Sequence, residues 1–428
     1  MSKDPTHKDW WDSRFAEGLA LLAVSILLFS FLWRVPNPDQ AVLNQLERLS
    51  FDLQMELLRA MHPRPAAVEP VLIGVDESAE DAFEEPIAMW HKHFAKTLDA
   101  LVQAKPALVG MDVQLPSRSF DRILPGLDYA FLVSLFRIKQ NVPFVVVHTI
   151  DRIGDLAPIH QPYLNRLGDE TFALDRVLED PDRVARRYNE REIIQEGSLH
   201  PFAGHIARVL GKPVQAGYID FSVGGKIQYI PIQNVIRWLD AGDVAELKRR
   251  FEGRVVLIGS VTRAQDRWNL PVPLADWERN QRGELTTNQP GVIVHYQTLR
   301  SLLGDGLVVP LPDWLKWAIC GLILMVVFLP SNRHVYWGTL LAVPVVLALS
   351  VLLITAKIFI PAVTFLVLLW ISVLVGAAAD GTHTLIEKNR LKGSFYGSVS
   401  PAVLQEILAG NLESGVNAKS ADVCVMFT

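Results

Sequence analysis

The chain has 428 residues, is 50% hydrophobic, and sets 41 Lys and Arg against 46 Asp and Glu for a net charge of −5. That length accommodates one sizeable soluble domain plus a membrane part, and without a basic excess or a basic run no nucleic-acid partner is expected. The two cysteines are Cys320 and Cys424, so a disulfide framework between residues 34 and 313 is excluded whatever the compartment.

In chain order, residues 1–14 read as a short cytosolic N-terminus and residues 15–33 as a transmembrane anchor. Phe15 to Trp33 is almost wholly apolar and long enough to cross a bilayer, with Trp10, Trp11 and Trp33 placed like interfacial anchors. Phe29 to Arg34 offers no small-residue cleavage site, so the segment reads as retained. Three more apolar runs follow far downstream: Trp314 to Leu329, Tyr336 to Ala356, and Ile358 to Ala379. Lys316 leaves the first of them short, and a buried soluble helix is the alternative there. Charge favours four spans, because only then do Arg333, Lys388, Arg390 and Lys392 share a side with Lys3, Lys8 and Arg14. Both termini are then cytoplasmic, the protein is multi-pass in the inner (plasma) membrane, and residues 34–313 are periplasmic or extracellular.

Within that outer segment, Val71 to Val75 and Ala107 to Met111 are continuous apolar runs of the kind expected for strands buried on both faces. Between them, Trp90, Phe94, Leu98, Leu101 and Val102 fall on one helical face. Strand, helix and strand make a parallel unit, and further strands are expected at Phe144 to Val147, Gly217 to Phe221, Val255 to Ile258 and Val292 to Val294. Ile150 to Glu196 is rich in charge and reads as loops and short helices. The fold class is therefore an α/β extracytoplasmic sensor domain plus an α-helical transmembrane region of four spans.

The candidate ligand-binding residues are Asp76, Asp112, Asp266 and His295. Asp76 and Asp112 each follow a leading strand, and open α/β sheets bind ligands beyond the carboxyl ends of their strands. Asp76 has an alternative role as a helix cap, Asp266 as a solvated loop acid, and His295 as a structural hydrogen-bonding group between a strand and a helix. No metal site and no catalytic residue is assigned. His91 and His93 are two apart on a helix and face different ways, and His200 and His205 have no cysteine or carboxylate at ligand spacing. The spans carry no interior acid or paired charge of a transporter, and no nucleophile and base pair of a hydrolase is visible.

Several pieces coincide: an N-terminal anchor, Val71 to Asp76, the helix at Trp90, Ala107 to Asp112, Phe251 to Ser260 with Asp266 and Pro271, Pro290 to His295, and three clustered spans. Their order resembles the CHASE sensor domain of the second type, found in front of bacterial cyclases and kinases. After the spans, residues 380–420 read as a cytosolic linker, with Ser400 and Pro401 opening a helix that Gly410 ends. Residues 421–428, from the alternating Val423 to Thr428, look like the first strand of a class III adenylate or guanylate cyclase domain that breaks off here. The resemblance implies a homodimer, an unknown extracytoplasmic ligand, and a parent that is a nucleotide cyclase. No cofactor is implied in this chain, since Mg or Mn would serve only the missing catalytic domain. A histidine kinase using a residue such as His383, another signalling receptor, or a non-catalytic fragment are the alternatives.

Overall fold

The computed structural model describes residues 6–34, 41–150, 154–194, 197–264, 266–329 and 332–395. The linker helix at Ser400 and the strand at Val423 lie outside these residues. The chain divides into two compact units: Met1–Leu32 with Trp317–Pro344 and Phe365–Thr428, and Trp33–Lys316 with Val345–Thr364.

The larger unit is built on a sheet. After α1 (Thr6–Arg34) and α2 (Val42–Met61) come β1 (Val71–Val75), the short helix α3 (Glu77–Ala82), α4 (His91–Ala104), β2 (Leu108–Asp112), α5 (Leu127–Asn141), β3 (Phe144–Thr149), α6 (Gln161–Leu167) and β4 (Phe172–Asp175). Short strands β5 (Leu178–Glu179), β6 (Ala185–Tyr188), β7 (Glu192–Ile194) and β8 (Gly197–Leu199) precede α7 (Phe202–Val209) and β9 (Gly217–Tyr218). Then follow β10 (Tyr229–Pro231), α8 (Ile232–Asp240), α9 (Val244–Phe251), β11 (Val255–Ser260), β12 (Arg267–Asn269), β13 (Asn288–Pro290) and α10 (Gly291–Leu303). The six main strands lie in the order β10, β1, β11, β2, β3, β4, and every neighbouring pair is parallel.

All five residues of β1 are buried because the sheet is covered on both sides. Ile73, Val109, Met111, Val146 and Ile258 join one core with α4, α5, α8 and α9, while Leu72, Leu108, Val147 and Leu257 join the other with α7 and α10. On α4, Phe94, Leu98 and Leu101 are buried as their spacing predicts, each contributing roughly 1.5–3 kcal/mol by leaving water. At Gly110 α7 packs tightly on the sheet: a β-carbon there would sit 2.6 Å from Ile206 Cδ1. Arg186, 1% exposed, ties β6 to α2 by bonding both Asp52 oxygens at 2.6 Å, and it also meets Asp180 and Asp182.

The structure departs from the sequence reading in definite places. Val292 to Val294 is the first turn of α10, not a strand. All thirteen residues of this helix are buried, so it shows no amphipathic period, and tertiary burial overrides the β-propensity of its branched residues. His295 therefore lies inside a helix. The charged stretch from Ile150 to Glu196 contains strands, including β4 of the main sheet. Gly217 to Phe221 shortens to β9.

Past α10, β14 (Val309–Pro310) leads to α11 (Asp313–Leu324), and α12 (Arg333–Thr355) precedes β15 (Ile358–Phe359) and α13 (Ala362–Phe395). The run from Ile358 thus opens as a strand paired in parallel with β14. Among the described residues three segments are long and apolar enough to cross a membrane: Glu17–Arg34, Arg333–Thr355 and Ala362–Arg390. The run at Trp314 forms the 12 residues of α11 and then a 3-10 turn over Met325–Phe328. That α-helix alone falls short of the roughly 20 residues a span needs.

Candidate functional site

Asp112 is the last residue of β2, Asp175 the last of β4, and His295 stands near the start of α10. They meet on the face of the sheet that α7 and α10 cover. One oxygen of each acid and a ring nitrogen of His295 all lie within 4.8 Å of one another. His295 Nε2 is 3.3 Å from Asp175 Oδ1, and the histidine is 4% exposed.

Asp266 joins from the loop between β11 and β12, in a left-handed backbone conformation with φ of 48°. Its Oδ1 accepts a 2.6 Å bond from Trp268 Nε1, and its carbonyl accepts from the Gly291 N–H at 2.8 Å. A β-carbon on Gly291 would lie 1.9 Å from Asp266 Oδ2, so the carboxylate can rest against the start of α10 only because residue 291 is glycine.

Electrostatics follow from this crowding. Burial, reinforced by the charges of Asp175 and Asp266 and opposed by His295, pushes Asp112 up to about 8. For His295, burial works downward, yet the charge of Asp112 and the bond and charge of Asp175 outweigh it and lift the imidazole to about 9. Asp266 keeps an exposed face, as its alternative reading of a solvated loop acid allowed, while the protein packed against the rest of it raises its carboxyl against the hydrogen bond from Trp268. Asp112 and His295 are coupled, so a proton held by one changes how tightly the other holds its own. Three carboxyl groups and one imidazole, gathered beyond the carboxyl ends of parallel strands, suit proton exchange or a ligand rich in positive charge or hydrogen-bond donors. The same Asp112, Asp175 and His295 atoms are close enough together to face one metal ion.

Asp76 is not part of this group. It caps α3, accepting from the Ala79 N–H and the Ser78 hydroxyl at 2.9 Å each, from the Tyr229 hydroxyl at 3.0 Å, and from Gln233 Nε2 at 3.4 Å. Those bonds serve it locally, the capping alternative that the sequence left open. Asp175 was not anticipated, although Phe172-Ala173-Leu174-Asp175 repeats the pattern of an apolar run ended by an acid. The surrounding charge masked that signal.

From the cluster, α10 leads to a second polar centre. Gln297 Nε2 donates to the carbonyls of Asp220 and Val223 at 2.6 and 3.1 Å, and Arg300 binds Glu69 Oε2 at 2.7 Å. The Asp220 carboxylate, fully buried, receives Arg64 Nη2 and Lys357 Nζ at 2.7 Å each and the Ser222 hydroxyl at 2.6 Å. Lys357 is the last of the two residues between α12 and β15, and its carbonyl accepts from the Val309 N–H of β14. Buried hydrogen bonds thus connect α10 to the turn that precedes α13.

A sequence model of the CHASE2 domain matches residues 20–329, more than half of the chain. No curated protein and no solved structure matches it. The parallel sheet flanked by apolar helices fits that assignment: the chain belongs to the CHASE2 family, an extracytoplasmic sensor domain found in signalling proteins.

Proposed function

We propose that the chain is the sensory and transmembrane half of a class III adenylate or guanylate cyclase. It crosses the inner membrane four times, α11 with its 3-10 turn forming the short second span, and it works as a homodimer with both termini in the cytoplasm. The cluster of Asp112, Asp175, Asp266 and His295 is the receiving site, and cyclic nucleotide synthesis is the output. Mg or Mn enters only with the catalytic domain. The observation that carries this reading is the buried connection from His295 on α10 through Gln297 and Asp220 to Lys357, just ahead of α13. A proton or ligand bound at the cluster shifts the signalling equilibrium by its difference in affinity for two positions of α10.

Two measurements test it. With Cys320 replaced by Ala, a membrane-impermeant maleimide applied to intact cells is expected to label Ser198→Cys, on the exposed strand β8, and to spare Cys424. Fused at its C-terminus to a cyclase catalytic domain, the chain is expected to change output several-fold when Asp112→Asn is introduced. Labelling of Cys424 in intact cells, or identical output from the fusion and its Asp112→Asn form under every stimulus, overturns the reading.

A further inference from the structure

Residues alternate across β2, so Met111 faces away from the Asp112 cluster, into the core that holds α4 and α5. There the larger unit forms a half-open pocket of about 380 Å³ between the entry of α4 and the exit of β2. Ile87, Phe94, Met111, Leu115, Phe120 and Phe131 give it apolar walls. Among the described residues no lysine, arginine, aspartate or glutamate lines it, and besides Ser117 the polar side chains present are those of His91 and Gln114.

Both of these polar groups are short of partners. His91 is 3% exposed; among the described residues its ring nitrogens make no hydrogen bond of ordinary geometry, and its polar neighbours are the Met89 backbone and Asp128. Asp128 Oδ1 lies 3.5 Å from His91 Nε2, an ion-pair distance, but already accepts from the Phe120 N–H and the Tyr163 hydroxyl. Burial, opposed by the charge of Asp128, holds His91 below the usual histidine range, so the ring is neutral and carries one donor and one acceptor. Gln114 is fixed from behind: its Oε1 accepts from the Thr149 N–H and hydroxyl at 2.9 Å each. That orientation leaves Nε2 as a buried donor with no partner among the described residues.

Buried polar atoms without partners are rare, because each has lost its bond to water and gained none. Two such residues on one apolar pocket mark the positions where a ligand's polar atoms belong. We propose that this pocket binds a small uncharged molecule with an aromatic or alicyclic body and a hydroxyl or carbonyl group. Its oxygen accepts from Gln114 Nε2 and its polar edge meets the His91 imidazole. The ligand is neutral because none of the described residues on the walls carries a charge to offset an ion. This site lies on the opposite face of the sheet from the carboxylate cluster, and only the signalling consequence of filling it rests on the sensor reading.

The test uses the full chain in detergent micelles with 4-fluorophenol and 4-fluoroacetophenone as probes, 4-fluorobenzoate as the charged counterpart, and fluorine NMR as the readout. The neutral probes are expected to show saturable broadening and the benzoate to bind about tenfold more weakly, the equivalent of one uncompensated polar group. Ala88→Trp, at an exposed position on the wall, is expected to abolish the signal. His91→Leu removes the stranded nitrogens, so it is expected to leave Tm unchanged or higher while weakening probe binding about fivefold. Equal broadening in Ala88→Trp and the parent chain, or a His91→Leu form that loses Tm yet binds as before, overturns the proposal. Probe binding does not depend on membrane orientation or on output, so a failed labelling or fusion experiment and a failed binding experiment remain separate results.

Discussion

Replacing Asp220 by asparagine keeps the shape of a fully buried side chain but removes the one negative charge on which two cations converge. In the native chain Arg64 and Lys357 both reach Asp220 Oδ2 at 2.7 Å, and their side chains are 15% and 14% exposed. Burial works to raise the Asp220 carboxyl, but the charges of Lys357 and Arg64 outweigh it and hold it below the usual range. Stripping one partner from a buried pair costs 3–5 kcal/mol, and because both cations retain some contact with water the lower end applies, about 3 kcal/mol. The larger unit spans roughly 300 residues, whose unfolding entropy near Tm makes that loss a fall of about 5 °C. Scanning fluorimetry on the full chain in detergent reads this directly. Lys357→Met in the Asp220→Asn background removes one stranded charge and is expected to recover about 2 °C, whereas the same substitution alone is destabilising. An Asp220→Asn form within about 1 °C of the parent, or a double variant whose losses simply add, would refute the claim that this carboxylate holds the two cations.

Two further outcomes follow from the cluster. His295 is lifted from its ordinary value of 6.5 to about 9, so the stability it contributes is complete below pH 6.5 and is lost as pH rises toward 9; Asp112, lifted to about 8, works in the same direction because its ionisation is disfavoured. For His295 the loss is on the order of 3 kcal/mol, so Tm measured between pH 6.5 and 9 is expected to fall, and His295→Gln to flatten the curve; a Tm that climbs over this window contradicts the assignment. Gly291→Ala puts a methyl group 1.9 Å from Asp266 Oδ2, and displacing that carboxylate from Trp268 is expected to cost about 1–3 kcal/mol, with partial recovery in the Gly291→Ala, Asp266→Ala double variant by the same thermal assay.

Local patterns carried the sequence reading where burial itself is periodic. Val71 to Val75 and Val255 to Ile258 were legible as strands because helices cover both faces of the sheet, and α4 was legible because Phe94, Leu98 and Leu101 share one face. Asp112 and Asp266 drew notice for the same local reason, an acid following a buried run. Helix α10 was misread because a helix buried on every side leaves no period to detect.

The sequence by itself determined the α/β class, the apolar helices, and the acids placed beyond the strands, since these depend on neighbours within a few residues. Only the tertiary structure decided which acids meet. Asp112 reaches Asp175 across the intervening strand β3 because long-range pairing fixed the order of strands, while Asp76, on the neighbouring side, was taken up by its own helix end. The partnership of Asp220 with Lys357 joins residues 137 apart in the chain, and the unsatisfied polar groups of His91 and Gln114 emerge only when α4 closes over the end of β2. Such encounters are set by strand register and helix packing, which no window of local sequence contains.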